Sequence, residues 1–248
     1  MSRWPADWLC PDWPAPARVR ACATTRSGGV SLPPFACFNL GDHVGDDPRA
    51  VAHNRQQLAR QLGCRPVWLN QVHSAVAVRA DPLQVVTADA CWTDQSGLAC
   101  AVLTADCLPV LFCDRGGTRV AAAHAGWRGL AGGILESVLQ QLACPAADLL
   151  VWLGPAIGPE VFEVGPEVRQ VFVSVQAEAA QAFRPSGRPG HVLADLYTLA
   201  RLRLAACGVT AIYGGGFCTH GDPRFYSYRQ AAQTGRQASL VWLLADHP

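Results

Sequence analysis

The stretch LACAVLTADCLPVLFCDRGGTRVAAAHAGWRG, from Leu98 to Gly129, decides the fold. It holds three apolar runs, Leu98–Thr104, Pro109–Cys113 and Arg119–Ala123, with breaks at Ala105-Asp106 and Gly116-Gly117. Short apolar runs bounded by turn residues read as buried strands. Beyond the third run, Trp127, Leu130, Ile134, Val138 and Leu142 recur at three- and four-residue steps. That spacing predicts one helix from Gly126 to Leu142.

Outward from this stretch the pattern continues. Val19–Thr25 reads as a strand ended by Ser27-Gly28-Gly29. Asp47 and Pro48 are N-cap and first residue of a helix that runs to about Leu62 and stops at Gly63. Pro66–Leu69, Ala75–Arg79, Leu149–Leu153, Val209–Tyr213 and Ser239–Leu244 read as further strands. Pro166–Val175 and Ala194–Ala206 read as helices, the second capped by Gly208. Strands outnumber helices and cluster instead of alternating with them. The expected class is therefore α+β and layered, not a Rossmann-type sheet. No linker interrupts the chain, so a single domain is expected over residues 1–248. An irregular N-terminal arm, residues 1–17, is rich in Pro and Trp, and Trp4, Trp8 and Trp13 are expected to be exposed on it.

Composition removes several function classes. The 248 residues are 50% hydrophobic and 16% charged, which excludes a disordered chain. A net charge of +1 lacks the basic stripe of a nucleic-acid binder. No apolar run reaches the roughly 18 residues of a membrane span. The chain contains no lysine, and all 20 basic residues are Arg. Schiff-base, P-loop and general-base lysines are excluded together. Any anion must be held by Arg, backbone N–H groups or a metal. The 11 cysteines include no Cys-x-x-Cys pair. No apolar leader follows Arg3, so a cytoplasmic setting with reduced thiols is expected. Most, such as Cys100 and Cys113, are expected to be buried hydrophobes.

Three segments set versatile side chains at strand ends: Trp68-Leu69-Asn70-Gln71-Val72-His73, Thr104-Ala105-Asp106-Cys107-Leu108-Pro109 and Ala122-Ala123-His124-Ala125-Gly126-Trp127-Arg128-Gly129. Two imidazoles and a thiolate suit zinc, and three scattered ligands suit a catalytic site with an open position. A buried or surface His is the common alternative. Gly126-Trp127-Arg128-Gly129, opening a helix, is a candidate anion site; the alternative is a structural ion pair for Arg128.

These segments, with Thr24-Thr25-Arg26-Ser27-Gly28-Gly29-Val30-Ser31, Asn39-Leu40-Gly41, Gly154-Pro155-Ala156-Ile157-Gly158 and Phe225-Tyr226-Ser227-Tyr228-Arg229, resemble the YfiH family, also called the multicopper polyphenol oxidase or laccase-domain family. The resemblance runs from about Ala21 to Leu244. It implies layered mixed β-sheets flanked by helices, and a zinc site at His73, Cys107 and His124. It also implies phosphorolysis of adenosine, inosine, guanosine and methylthioadenosine, with adenosine deamination besides. His220, in the divergent run Cys218-Thr219-His220-Gly221, receives no role.

That chemistry sets requirements. Deamination needs zinc-activated water and a carboxylate to move the proton; Asp106 and Asp89 are candidates. Asp106 has the alternative role of orienting a ligand. Phosphorolysis needs phosphate behind the ribose, with Arg128, Arg26 and Arg229 as candidates in that order. Asn39 and Asn70 are candidates to bind sugar or base, and Trp92 or Phe225 to stack on a purine. Three rivals stand beside this reading. A copper-dependent polyphenol oxidase is disfavoured by the absence of His-x-His and by a single Met. A cysteine hydrolase would use Cys107 as nucleophile and His124 as base. A partner-binding module would dock through the Trp-rich arm.

Overall fold

A computed structural model describes residues 4–245. Two mixed sheets pack face to face. The four-stranded sheet has the order Val19–Ala23, Gln237–Leu243, Leu98–Thr104, Arg65–Val67, with the last pairing parallel. The six-stranded sheet has the order Ala211–Gly214, Leu149–Leu153, Leu108–Asp114, Val120–Ala125, Ala90–Thr93, Ala77–Arg79. Its two outer pairings are parallel and its three inner ones antiparallel.

Strand periodicity explains the layering. Every residue of Leu98–Thr104 is buried, because both faces of its sheet are covered. Cys100 and Val102 point between the sheets, where they meet Leu111, Cys113, Val120 and Ala122 of the other sheet. Ala99, Ala101 and Leu103 point outward beneath the Pro48–Leu62 helix, against Leu58 and Leu62. Val110, Phe112, Ala121 and Ala123 face the opposite way from Leu111 and Ala122, toward helices Ile134–Leu142, Pro166–Val175 and Leu196–Ala206. The alanine run of Val120–Ala125 leaves room for Ile134, Leu135 and Val138. Each large aliphatic side chain buried this way contributes about 1.5–3 kcal/mol. The architecture is the expected layered one.

The Pro48–Leu62 helix is capped as expected: Asp47 accepts from Arg49 N–H at 2.8 Å, and Gly63 closes it at φ 67°. One expectation fails. The single helix from Gly126 to Leu142 is two helices, Trp127–Gly132 and Ile134–Leu142, broken at Gly133 with φ 93°. Apolar spacing survives the break because both pieces face the same sheet, and spacing does not register one left-handed glycine. The second helix of the C-terminal half starts at Leu196, not Ala194, on an Asp195 cap. The strand expected at Val209–Tyr213 is Ala211–Gly214. Ala90–Thr93 and the small sheet of Glu163–Val164, Phe183–Pro185 and Val192–Ala194 are too short to give a periodic signal.

The expected arm, residues 1–17, begins outside the described residues. From Trp4 onward it lies on the core, with Leu9 bridging Ala23. Its tryptophans are covered, contrary to expectation. Trp8 is buried, Trp4 packs 5.5 Å from Trp242, and Trp13 packs against the core between the sheets. Trp8 is spent on the fold and Trp4 and Trp13 are half-covered by it, which weakens the argument for a partner-docking arm.

Candidate active site

The crossover between the sheets positions the chemistry. Leu98–Thr104 belongs to one sheet and Leu108–Asp114 to the other, and the chain passes between them at Ala105-Asp106-Cys107. Asp106 adopts φ 97°, a region disfavoured for residues with a Cβ. Its contacts hold it there. Oδ1 accepts from the Thr219 hydroxyl at 2.6 Å and Oδ2 from the Arg229 backbone N–H at 2.6 Å. Its carbonyl accepts from Ile157 N–H at 2.9 Å. Asp106 thus gathers three loops around Cys107.

Asp89 does the same for the histidines. It is fully buried, and its Oδ1 lies 2.8 Å from His124 Nδ1 and accepts from His73 N–H at 3.0 Å. Its Oδ2 accepts from the Ser74 N–H at 2.6 Å, the Ser74 hydroxyl at 2.7 Å and the Val72 N–H at 3.2 Å. One carboxylate fixes both the His124 ring and the loop that carries His73. Occupying Nδ1 of His124 leaves its Nε2 for a ligand.

The result is a three-ligand cluster. Ligand atoms of His73, Cys107 and His124 lie within 4.8 Å of one another. His73 Nε2 is 3.8 Å from Cys107 Sγ, and the two imidazole centroids are 4.7 Å apart. Gly126 makes this approach possible, since a Cβ there would lie 2.9 Å from Cys107 Sγ and 3.0 Å from His73 Cδ2. Burial alone would raise the Cys107 thiol, but the His124 and His73 rings bring it down to about 6. Burial alone would lower His124, but the Cys107 sulfur and the Asp89 carboxylate lift it to about 9. Burial opposes ionisation of Asp89 as well, and hydrogen bonds from His124 and Ser74 hold it at about 2. Thiolate and two imidazoles converging in a charge-stabilising pocket fit zinc, with room for a fourth, non-protein ligand.

The cluster forms part of the wall of a cavity of about 510 Å³. Asp106, Arg128 and Arg229 also line it. Arg128 is exposed and lies 4.4 Å over the Trp127 ring. The helix it opens has six residues, so an anion would depend on its guanidinium more than on a helix terminus. Arg229 donates to the Glu163 carbonyl at 3.0 Å and lies 5.5 Å from the Phe162 ring centre.

Other candidates are placed elsewhere. Asp89 is buried behind His124 and does not line the cavity, a position suited to orienting His124 and the His73 loop. Arg26 donates to the Ala36 carbonyl at 2.9 Å and stacks on Tyr226, outside the cavity wall. Asn39 is fully buried with its amide bonded to Gly41 and Asp46. Asn70 pairs with Thr87, Trp92 with Gln141, and Phe225 is buried. His220 lies outside the cavity wall. The sequence reading missed His43, Gln71, Phe162, Tyr228 and Arg236 as wall residues. Gln71 and Tyr228 lie inside quoted segments without being singled out, and His43, Phe162 and Arg236 have no flanking pattern to mark them.

A family model described as multi-copper polyphenol oxidoreductase laccase matches residues 20–244. The chain belongs to this family. Among relatives in the laccase family, a Pseudomonas aeruginosa protein named purine nucleoside phosphorylase is 65% identical over 95% of this chain and 98% of its own. An Escherichia coli purine nucleoside phosphorylase, YfiH, is 51% identical over 95% of this chain and 98% of its own. The crystal structure of a Neisseria meningitidis protein superposes with a TM-score of 0.94 at 50% identity, covering 96% of this chain and 100% of that one. YlmD from Geobacillus stearothermophilus gives 0.91 at 33% identity, covering 99% of each. The family's copper label meets a single candidate centre: among the described residues, no second group of three His, Cys, Asp or Glu converges.

Proposed function

We propose that the protein is a zinc-dependent purine nucleoside phosphorylase that also deaminates adenosine. The carrying observation is the His73–Cys107–His124 cluster in the wall of an arginine-lined cavity. The relatives named purine nucleoside phosphorylase support the same reading. Adenosine, inosine, guanosine and methylthioadenosine are the proposed substrates, with inorganic phosphate. The cavity volume falls within the roughly 300–1,000 Å³ range of small-molecule sites.

When bound, zinc supplies Lewis acidity that activates water toward purine C6. The chain's own residues do the rest. Arg128 and Arg229 hold phosphate, for which guanidinium is suited by charge and shape. A phosphate oxygen bonds to ribose C1′ as the C1′–N9 bond breaks, and the purine leaves with the electron pair and takes up a proton. Asp106 is the carboxylate in the cavity wall and handles that proton. Phe162 and Tyr228 offer aromatic faces to the base. Zinc is preferred over copper because the described residues hold one His₂Cys centre and, with Met1 the chain's sole methionine, lack the further sites of a multicopper oxidase. A cytoplasmic location is proposed with it, since free thiols stay reduced there.

The test is incubation of zinc-loaded protein with adenosine, with and without phosphate, and product identification. Adenine with ribose-1-phosphate marks phosphorolysis; inosine marks deamination. His124→Ala should lose zinc and both activities while keeping its circular dichroism spectrum. Full phosphorolysis by metal-free protein would sink the proposal.

The lowered Cys107 beside the raised His124 favours one other reading, a cysteine hydrolase. Stoichiometric zinc that blocks alkylation of Cys107 would exclude it.

A further inference from the structure

Arg236 is the cavity's least explained cation. Its Nη1 donates to the carbonyls of Thr234 at 3.0 Å and Gly235 at 2.9 Å, which fixes the direction of the guanidinium. Among the described residues no carboxylate pairs with it, yet it is partly buried in the same wall as Asp106 and Cys107. Burial disfavours its charge, and although Cys107 and Asp106 act on it favourably neither forms an ion pair with it, so an anion entering beside it would be stabilised.

The Asn39-Leu40-Gly41 motif, which the chemistry above leaves unused, is built around this residue. Asn39 Oδ1 accepts from the Arg236 backbone N–H at 2.9 Å, and Leu40 N–H donates to the Arg236 carbonyl at 3.1 Å. A Cβ on Gly41 would lie 2.8 Å from Arg236 Cγ, so the glycine is the seat of the side-chain stem. Asn54 in turn holds the motif, donating to the Asn39 carbonyl at 2.9 Å. A second observation points to a ligand at the same place. Thr104 pairs in register with Gln237, the neighbour of Arg236, and lines the cavity. Its hydroxyl is buried and has no hydrogen-bond partner. Buried polar groups without partners are rare, and a hydroxyl and a guanidinium in one cavity wall suit an oxyanion.

We propose that Arg236, seated by Asn39-Leu40-Gly41 and assisted by the Thr104 hydroxyl, is the anchoring cation for inorganic phosphate. This rests on the phosphorylase reading for the use of the phosphate, not for its binding. Arg128 and Arg229 then close over the anion, and Gly41 acts as a positioning residue.

Calorimetric titration of zinc-loaded protein with inorganic phosphate tests this without turnover. Arg236→Gln should weaken phosphate binding at least tenfold at unchanged zinc content. Gly41→Ala should weaken it severalfold, and in phosphorolysis should raise KM for phosphate more than KM for the nucleoside. Phosphate affinity of Arg236→Gln equal to that of the unaltered protein overturns the proposal, as does absence of phosphate binding by the unaltered protein. Phosphate binding that depends on Arg236 in a protein that cleaves no nucleoside upholds this site and defeats the phosphorylase reading.

Discussion

Replacing Asp89 by Asn probes the centre through a residue that touches no metal. The change keeps the shape and removes the charge. Five groups converge on the native carboxylate: the backbone N–H groups of Val72, His73 and Ser74, the Ser74 hydroxyl, and Nδ1 of His124. An Asn amide has one accepting oxygen and an NH₂ that can only donate. With the oxygen turned to Ser74, the NH₂ faces His73 N–H and His124 Nδ1. His124 relieves that conflict by moving its proton to Nε2, the nitrogen required for the metal. Loss of such an orienting partner lowers metal affinity about 10–100-fold. Two lost hydrogen bonds to a charged group, at about 1.5–3 kcal/mol each, put the stability loss near 3–6 kcal/mol. Zinc affinity is read by competition with a chromophoric chelator, and stability by urea unfolding of the zinc-free protein followed by tryptophan fluorescence. An Asp89→Asn protein that binds zinc within twofold of the unaltered chain would refute the argument that Asp89 sets the His124 tautomer.

Further outcomes follow from the same geometry. Gly126→Ala places a methyl 2.9 Å from Cys107 Sγ and should cut zinc affinity at least tenfold with little change in unfolding midpoint, checked by metal analysis after dialysis. Arg128→Ala should raise KM for phosphate and impair phosphorolysis more than deamination; equal losses in both assays would remove Arg128 as a phosphate ligand. Near pH 7.5 the zinc-free pair carries its proton on His124, lifted to about 9, with Cys107 held down at about 6. Zinc uptake should then expel about one proton from this pair, measurable by calorimetry in buffers of different ionisation enthalpy, and affinity should fall as pH drops, more steeply below about 6.

The fold was legible where periodicity is strong. Leu98–Thr104, Leu149–Leu153 and Pro166–Val175 match their expected bounds, because each presents an unbroken apolar face to a neighbouring layer. Gly133 and the four-residue strand Ala90–Thr93 were not legible, since a single backbone angle and so short a strand leave no mark on hydrophobic spacing. Residue chemistry at strand ends pointed to the segments that carry His73, Cys107 and His124, and the family resemblance was needed to pick them out as a candidate ligand trio. The roles of Asp89 and Arg236 were not legible. Asp89 acts on a loop that precedes it by 15 residues and a strand that follows it by 35. The Arg236 backbone is held by Asn39, 197 residues away. Such partners are chosen by topology, and one chain's sequence does not display topology.

Among the buried and half-buried thiols, Cys107, brought down to about 6 by the His124 and His73 rings, is the one suited to oxidation. Sulfur that is ionised at neutral pH is attacked by peroxide, passing to sulfenic and then to irreversible sulfinic acid. Burial pushes the thiols of Cys22, Cys64, Cys100 and Cys113 up, so they are poor targets by comparison. A bound ion would therefore shield Cys107 from oxidants, and activity lost in storage after chelation should trace to a peptide containing Cys107 that has gained oxygen, in protein that is still folded.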